Sequence, residues 1–430
     1  MKRRGSTKRT AALWSAVGLL AVGVPAVPVA AQETGDVLVR GVTVVDALGV
    51  RPGVDVVVRE GVIQAVGPDA GEEDFDGSVI DGEGRFLIPG LIDAHVHLEG
   101  SSRRESEKTF RWLLEGGVTS VRDMAGDART LAGLHQAQLT GELRGPALYY
   151  SGVMAGPAFL ADPRLQAATR GYGEGEAPYM IPVTDETDVA EAVAVLRGTG
   201  ATGVKLYADV PAHLVASITR EAHRTGLMVW AHFTVFPAKP NEVVGSGVDG
   251  VSHAPYVFWE VAPATDDFTL RAQGDYEGVP PDHPALTAVL DSMANRGTVL
   301  DPTLFVFDRQ ANDEVGRQRM AWASALTTLA KDRGVTIAAG TDGAGQPLAG
   351  ALPNVYREME LLVGRSGFTP LEALTAATQG GARALGRDAS LGTVEVGKTA
   401  ALVLLSRNPA DDIADARSIV HVIQGGRIVR

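Results

Sequence analysis

Cysteine is absent from this 430-residue chain. That excludes a disulfide scaffold, a thiolate zinc site, an iron–sulfur cluster and a cysteine nucleophile. A lipoprotein anchor, which needs a cysteine at its cleavage site, is excluded too. A chain with no thiol also suits an oxidising compartment. Basic charge is short: 39 Lys and Arg stand against 52 Asp and Glu, a net charge of −13. Such a balance argues against nucleic acid as the main partner. The 51 Gly follow no three-residue period, so a collagen helix is excluded. What is present is globular. Hydrophobic residues make up 45% and charged residues 21%, proportions that do not fit extended disorder or fibres. The length fits one large barrel with a minor module, or roughly two or three ordinary domains.

Residues 1–31 read as a secretory signal. Lys2, Arg3, Arg4, Lys8 and Arg9 form a basic start, and Ala11 to Val24 an apolar stretch of 14 residues. That stretch is too short to span a bilayer comfortably. Val29-Ala30-Ala31 places small residues where a signal peptidase cuts, so cleavage is expected after Ala31. Arg3-Arg4 with Lys8 resembles a twin-arginine signal, but Ser6-Thr7 replace the hydrophobic pair of that motif. Cleavage removes five basic and no acidic side chains and moves the net charge from −13 to −18. The expectation is a periplasmic or secreted protein with no membrane anchor once cleaved, whose surface resists nucleic acid and anionic lipid.

Residues 36–88 carry short β-branched runs: Val37-Leu38-Val39, Val42 to Val45 and Val54 to Val58. Turn signals at Gly41, Pro52-Gly53, Glu60-Gly61 and Asp81-Gly82 separate them. The C-terminal part repeats the style, with strands expected at Ala401 to Leu405 and Ile419 to Ile423. The two ends, 36–88 and 389–430, are expected to form one small β-sandwich domain. Between them, residues 89–388 alternate strands and helices. Eight strand candidates are Leu91–His95, Thr119–Asp123, Ala147–Val153, Gly203–Tyr207, Met228–His232, Gly250–His253, Thr298–Leu300 and Thr336–Thr341. Helical stretches such as Asp188–Gly198 and Ala212–Thr225 lie between them. This pattern predicts an α/β fold, a (β/α)8 TIM barrel. The connections Ala155–Val183 and Pro255–Pro284 are long enough to be lids or substrate walls.

Asp93-Ala94-His95-Val96-His97 places imidazoles at i and i+2 of a strand, on one face. Lys205, His232, His253 and Asp342 sit at the ends of other strand candidates. In a barrel such ends meet at one mouth, where catalytic groups gather. Four of the nine His thus converge with an acid and a lysine. Imidazole and carboxylate suit zinc and its neighbours. Lys205 lies between Val204 and Leu206, where a charged amine is costly to bury. Addition of CO₂ turns such an amine into an anionic carbamate with oxygens for two cations. A neutral or ion-paired Lys205 beside a single metal is the alternative.

These residues resemble the amidohydrolase superfamily, in its binuclear carboxylated-lysine form. The pattern is most similar to the imidazolonepropionase-related, prolidase-like dipeptidases. The likeness runs over essentially all of residues 36–430. It rests on Phe86 to His97 (FLIPGLIDAHVH), Gly117 to Asp123, Gly340-Thr341-Asp342 and Leu391 to Lys398. Ala401 departs from the acid usual before that last strand, which touches the β domain alone. The resemblance implies two divalent metal ions, zinc foremost. His95, His97 and Asp342 would hold one, and His232 and His253 the other. A CO₂-derived carbamate on Lys205 would bridge them. Asp342 would also carry the proton from the bridging hydroxide to the leaving group.

The reaction so implied is hydrolysis of an amide or peptide bond in a small substrate, such as an Xaa-Pro or other dipeptide or an N-acyl amino acid. Such a substrate needs a carboxylate anchor, for which Arg122, Tyr207, Tyr256 and Lys239 are candidates; Tyr207 should share a face with Lys205. A lactonase or ester hydrolase would use the same centre. A deaminase or imidazolone-ring hydrolase resembles the mononuclear branch, with a Glu soon after the fifth-strand His. Here Phe233-Thr234-Val235-Phe236 follow His232, with no acid. A metal-free binding or structural barrel is a reading of another class, against which all six filled ligand positions count. Association into a homo-oligomer stays open, since no segment marks an interface.

Overall fold

The computed structural model describes residues 35–430 apart from 72–73, 99–101 and 166–167. The signal expected over residues 1–31 lies outside the described residues. The chain first lays down β1 (Val37–Asp46), β2 (Gly49–Arg59), β3 (Val62–Gly67), β4 (Ser78–Asp81) and β5 (Phe86–Pro89). Two of the expected valine runs are one strand. Val37 and Val39 face the core of this domain, and then Val42 and Val44 do. The alternation slips by one at Gly41, whose φ is +61°, and the β1–β2 register shifts there. An extra residue in one strand is a bulge, which glycine accommodates without steric cost. The signal at Gly41 therefore bends a strand rather than ending it.

The barrel follows: β6 (Leu91–Val96), β7 (Val118–Asp123), β8 (Ala147–Ala155), β9 (Met180–Pro182), β10 (Gly203–Leu206), β11 (Met228–His232), β12 (Gly250–Ser252) and β13 (Val299–Asp301). Seven of these pair in parallel in the order β6-β7-β8-β10-β11-β12-β13, and β9 adds to β8. β9 comes from the long connection after β8, so part of that segment extends the sheet. The expected eighth strand, Thr336–Thr341, forms no ladder of its own. It makes one parallel bridge, Leu300 to Ile337. Its backbone still closes the ring. Ala338 N donates to Leu300 O on one side; Ala94 N donates to Ala339 O and Asp342 N to His95 O on the other. The left-handed Asp342 (φ 53°) ends the extended run.

Helices cover the outside of the barrel. Ala212–Arg224 turns Leu214, Val215, Ile218 and Ala222 inward, the 3–4 spacing of an amphipathic helix. Asp188 caps Val189–Gly198 by accepting from Ala190 N and Glu191 N. The chain then returns through β14 (Ala401–Leu405), β15 (Ile419–Gln424) and β16 (Arg427–Ile428). These strands join the first sheet in the order β16-β15-β14-β5-β1-β2-β3, with β4 on β1. The terminal segments thus share one sheet domain, with its own core around Val56, Ile63, Leu87 and Leu402. No helix among the described residues is long and apolar enough to cross a membrane.

Candidate metal centre

β6 ends at the mouth with His95 buried and His97 on the rim. The strand is tied to the closing segment by Asp93, which accepts from Thr341 N at 3.1 Å and Thr341 Oγ1 at 2.8 Å. Burial lifts the Asp93 carboxyl to about 7. Asp342 then faces β6: its Oδ1 lies 3.0 Å from His97 Nε2 and 3.4 Å from His95 Nε2. Ligand atoms of His95, His97 and Asp342 all fall within 4.8 Å of one another, a set that could hold a metal ion. Burial alone would raise the Asp342 carboxyl, but the imidazoles of His95, His97 and His253 outweigh it and hold it well below the usual range.

His95 Nδ1 meets Asp301 Oδ2 at 2.7 Å. A carboxylate only accepts, so Nδ1 carries the hydrogen. Burial keeps the imidazole below its ordinary pKa, and the neutral ring then presents a lone pair at Nε2. His253 is prepared in the same way. It follows β12 in a left-handed conformation (φ 73°). Its Nδ1 lies 2.9 Å from Thr303 Oγ1, and that hydroxyl donates to Pro302 O at 2.8 Å. Thr303 therefore accepts, and His253 Nε2 is free. Glu358 fixes this corner from outside the barrel: buried, it accepts from Leu304 N at 3.0 Å and Phe305 N at 2.6 Å.

The remaining donors adjoin these. The His232 ring lies 4.7 Å from that of His253, and His253 lies 5.1 Å from His95, measured between centroids. Burial and the nearby Lys205 push His232 well below the ordinary imidazole range. Lys205 is wholly buried, and its Nζ has no hydrogen-bond partner; neither has His232 Nδ1. Burial, reinforced by the charge of Arg122, lowers the Lys205 amine to about 7. Buried polar atoms without partners are rare. Two of them in a mouth lined by imidazoles fit a site completed by a cation and its anionic bridge.

The anchor candidates fare differently. Arg122 lies beneath the mouth, stacked on Trp230 at 5.0 Å. It donates to Ala94 O, Ala384 O and Asp301 Oδ2, so this buried guanidinium is already paired with a carboxylate below the mouth. Lys239 is likewise occupied, donating to Glu260 O and Ala262 O. Tyr207 and Tyr256 do reach the mouth. Tyr207 packs edge-on against His232 at 4.2 Å and stacks on Phe159 at 4.2 Å. It turns to the same side as Lys205, whose Nζ is 5.7 Å from its ring. Tyr256 sits 5.0 Å from His253 and 5.8 Å from His232. A cavity of about 610 Å³ opens beside His97, with Glu105, Lys108, Arg309 and Asn354 in its wall.

Sequence reasoning passed over Asp301, Thr303 and Glu358. Asp301 obeys the strand-end rule that singled out the others, but the seventh strand was expected to stop at Leu300, one residue short. Thr303 meets His253 from a left-handed corner past the strand, and Glu358 reaches backbone N–H groups from a distant helix, placements that leave no residue pattern.

Residues 86–429 match the model of the amidohydrolase family. Among curated proteins, imidazolonepropionase of Geobacillus thermodenitrificans is 30% identical over 416 residues, covering 86% of this chain and 89% of that protein. Ochratoxinase of Aspergillus niger is 26% identical over 404 residues, covering 80% and 75%. Among solved structures, an Xaa-Pro dipeptidase with bound methionine superposes with a TM-score of 0.70 at 21% identity, over 91% of this chain and 99% of that one. The ochratoxinase structure gives 0.71 at 21% identity, over 93% and 96%. At those identities the structural likeness establishes the fold.

Proposed function

The chain belongs to the amidohydrolase family and is a hydrolase acting on carbon–nitrogen bonds; from that premise we propose that it cleaves the amide of a small substrate, an Xaa-Pro or other dipeptide or an N-acyl amino acid. The observation that carries the reading is Lys205 Nζ, buried and unpartnered amid the imidazoles. His95, His97 and Asp342 would hold one divalent cation and His232 and His253 a second, with Lys205 joining them. Zinc suits this set of nitrogen and carboxylate donors. Bound there, the cations supply Lewis acidity towards the scissile carbonyl and lower the pKa of water.

The chain's own groups do the rest. An amine titrating at about 7 is about half uncharged at neutral pH, against a minute fraction for an exposed lysine. Its nitrogen adds to CO₂ and loses a proton, leaving an anionic carbamate. Asp342 is ionised at neutral pH, so it can take the proton of the attacking water and pass that proton to the departing amine. Tyr207, Phe159 and Phe268 form an aromatic wall that excludes water on one side of the reacting bond.

Imidazolone-ring hydrolysis is a second reading, favoured by the 30% identity to imidazolonepropionase. Lys205, and the lack of an acid in Phe233-Thr234-Val235-Phe236 after His232, count against the mononuclear imidazolone-ring chemistry. We also propose export, on the basic and apolar stretches within residues 1–31.

The test is a screen of the zinc- and bicarbonate-loaded chain against pooled dipeptides and N-acyl amino acids, with a chelator control. Chelator-sensitive release of amino acid is expected. No release from metal-loaded protein would overturn the reading and transfer it to lactones and esters.

A further inference from the structure

The long connection after β12 and a helix after β13 each carry a guanidinium group to the rim, and neither has a carboxylate partner among the described residues. Arg271 lies in the turn Phe268–Ala272. Its backbone oxygen is held by Trp259 Nε1 at 3.0 Å, and its Nη1 donates to Phe268 O at 3.1 Å. Phe268 packs on Phe159 at 5.5 Å, Phe159 on Tyr207, and Tyr207 on His232. The turn is thereby fixed to the aromatic wall of the mouth.

The second group is Arg319, from the helix Glu314–Asp332. It donates to Ala272 O at 3.3 Å, one residue beyond Arg271, and to Gln310 Oε1 at 2.9 Å. It lies 5.5 Å from the Phe307 ring, which packs against Tyr256 at 6.1 Å. Its Nε is buried with no hydrogen-bond partner. Both guanidinium groups are half-buried. Both act on Tyr256, whose hydroxyl is pushed up by burial and opposed by the charge and hydrogen bond of Arg271 and by the charge of Arg319. The charge of Arg271 also reaches His232 and His253.

Arginine is rarely taken out of water without a partner, and its fork matches a carboxylate. This chain has 13 more acidic than basic side chains, yet places two unmatched cations beside the same tyrosine. Arg122 cannot serve as an anchor, and these two can. We propose that Arg271, Arg319 and the Tyr256 hydroxyl form an anion subsite on the His253 side of the mouth, which takes the carboxylate of the amino acid to be released. The inference rests on the amide reading above and extends it by naming the recognised group. A guanidinium fork matches a carboxylate in two hydrogen bonds, and Tyr256 adds a third donor.

The test uses the zinc-loaded full chain and two probes, L-leucine and L-leucinol. They differ only in carboxylate against hydroxymethyl, and neither contains an amide. Calorimetry should show the wild type binding L-leucine about tenfold or more tightly than L-leucinol. Arg271→Met and Arg319→Met should each lower that ratio about tenfold, and Arg271→Lys should keep part of it. Metal content and thermal unfolding, measured on the same samples, separate this loss from misfolding. A ratio unchanged in both methionine variants, or no carboxylate preference in the wild type, would overturn the subsite. An arginine-dependent ratio in a chain that hydrolyses no amide would uphold the subsite and reject the amide reading. Amide hydrolysis without that ratio would do the reverse.

Discussion

His95 and Asp301 form a buried imidazole–carboxylate pair, Nδ1 to Oδ2 at 2.7 Å, joining β6 to β13 past the closing segment between them. Arg122 and Ser252 converge on the same oxygen at 3.3 and 3.2 Å. Asp301 therefore fixes the tautomer of His95 and neutralises the guanidinium below it. Partners of this kind tune ligand basicity and orientation.

Asp301→Asn keeps the shape and removes the charge. It should weaken metal binding by about ten- to a hundredfold in a chelator competition. Asp301→Ala should also destabilise the fold by about 3–5 kcal/mol in urea unfolding, because Arg122 stays buried without its anion. Unchanged metal affinity in Asp301→Asn would remove the orienting role.

Lys205 makes stability depend on pH in the metal-free chain. Its amine titrates at about 7 in the fold and at about 10.4 when unfolded. Between those values the unfolded chain binds the extra proton, so stability falls as pH drops from about 10 to about 7 and then levels off. Lys205→Met removes the group. The variant should be the more stable metal-free protein at pH 7, with its advantage shrinking towards pH 9. A constant difference across that range would contradict the burial of a neutral amine.

Gly340 is required by contact. A Cβ there would lie 2.2 Å from Asp301 Oδ1 and 2.8 Å from His95 Cβ. Gly340→Ala should cost about 1–3 kcal/mol from overpacking and lower metal content together with stability. A variant as stable and as metal-loaded as the wild type would show that the closing segment yields.

Asp342→Asn keeps a ligand oxygen but loses the proton acceptor. Turnover should fall by about 10² to 10⁴, while substrate binding, read as KM, changes little. A near-normal kcat would assign the proton transfer elsewhere.

Much of this centre was legible in the sequence because barrel strands show as short apolar runs, and polar residues at their C-terminal ends stand out. His95 and His232 were visible for that reason. His253 and Asp342 lie just past the ladders in left-handed conformations, yet the strand-end rule reaches them because the mouth extends beyond the last hydrogen bond. Arg122 marks the limit of the rule. It too ends a strand and faces inward, but the carbonyls of Ala94 and Ala384 draw it down, and no pattern along the chain reports depth. Arg271 and Arg319 were not visible at all. One lies in an irregular connection and the other on a helix, and only the fold brings them to one tyrosine.

The most direct measurement is metal content with the mass of Lys205. The wild type, loaded with zinc and bicarbonate, should retain about two ions per chain and carry a carbamate on Lys205; Lys205→Ala should retain fewer ions and no activity. Full metal content and unchanged turnover in Lys205→Ala would contradict the account.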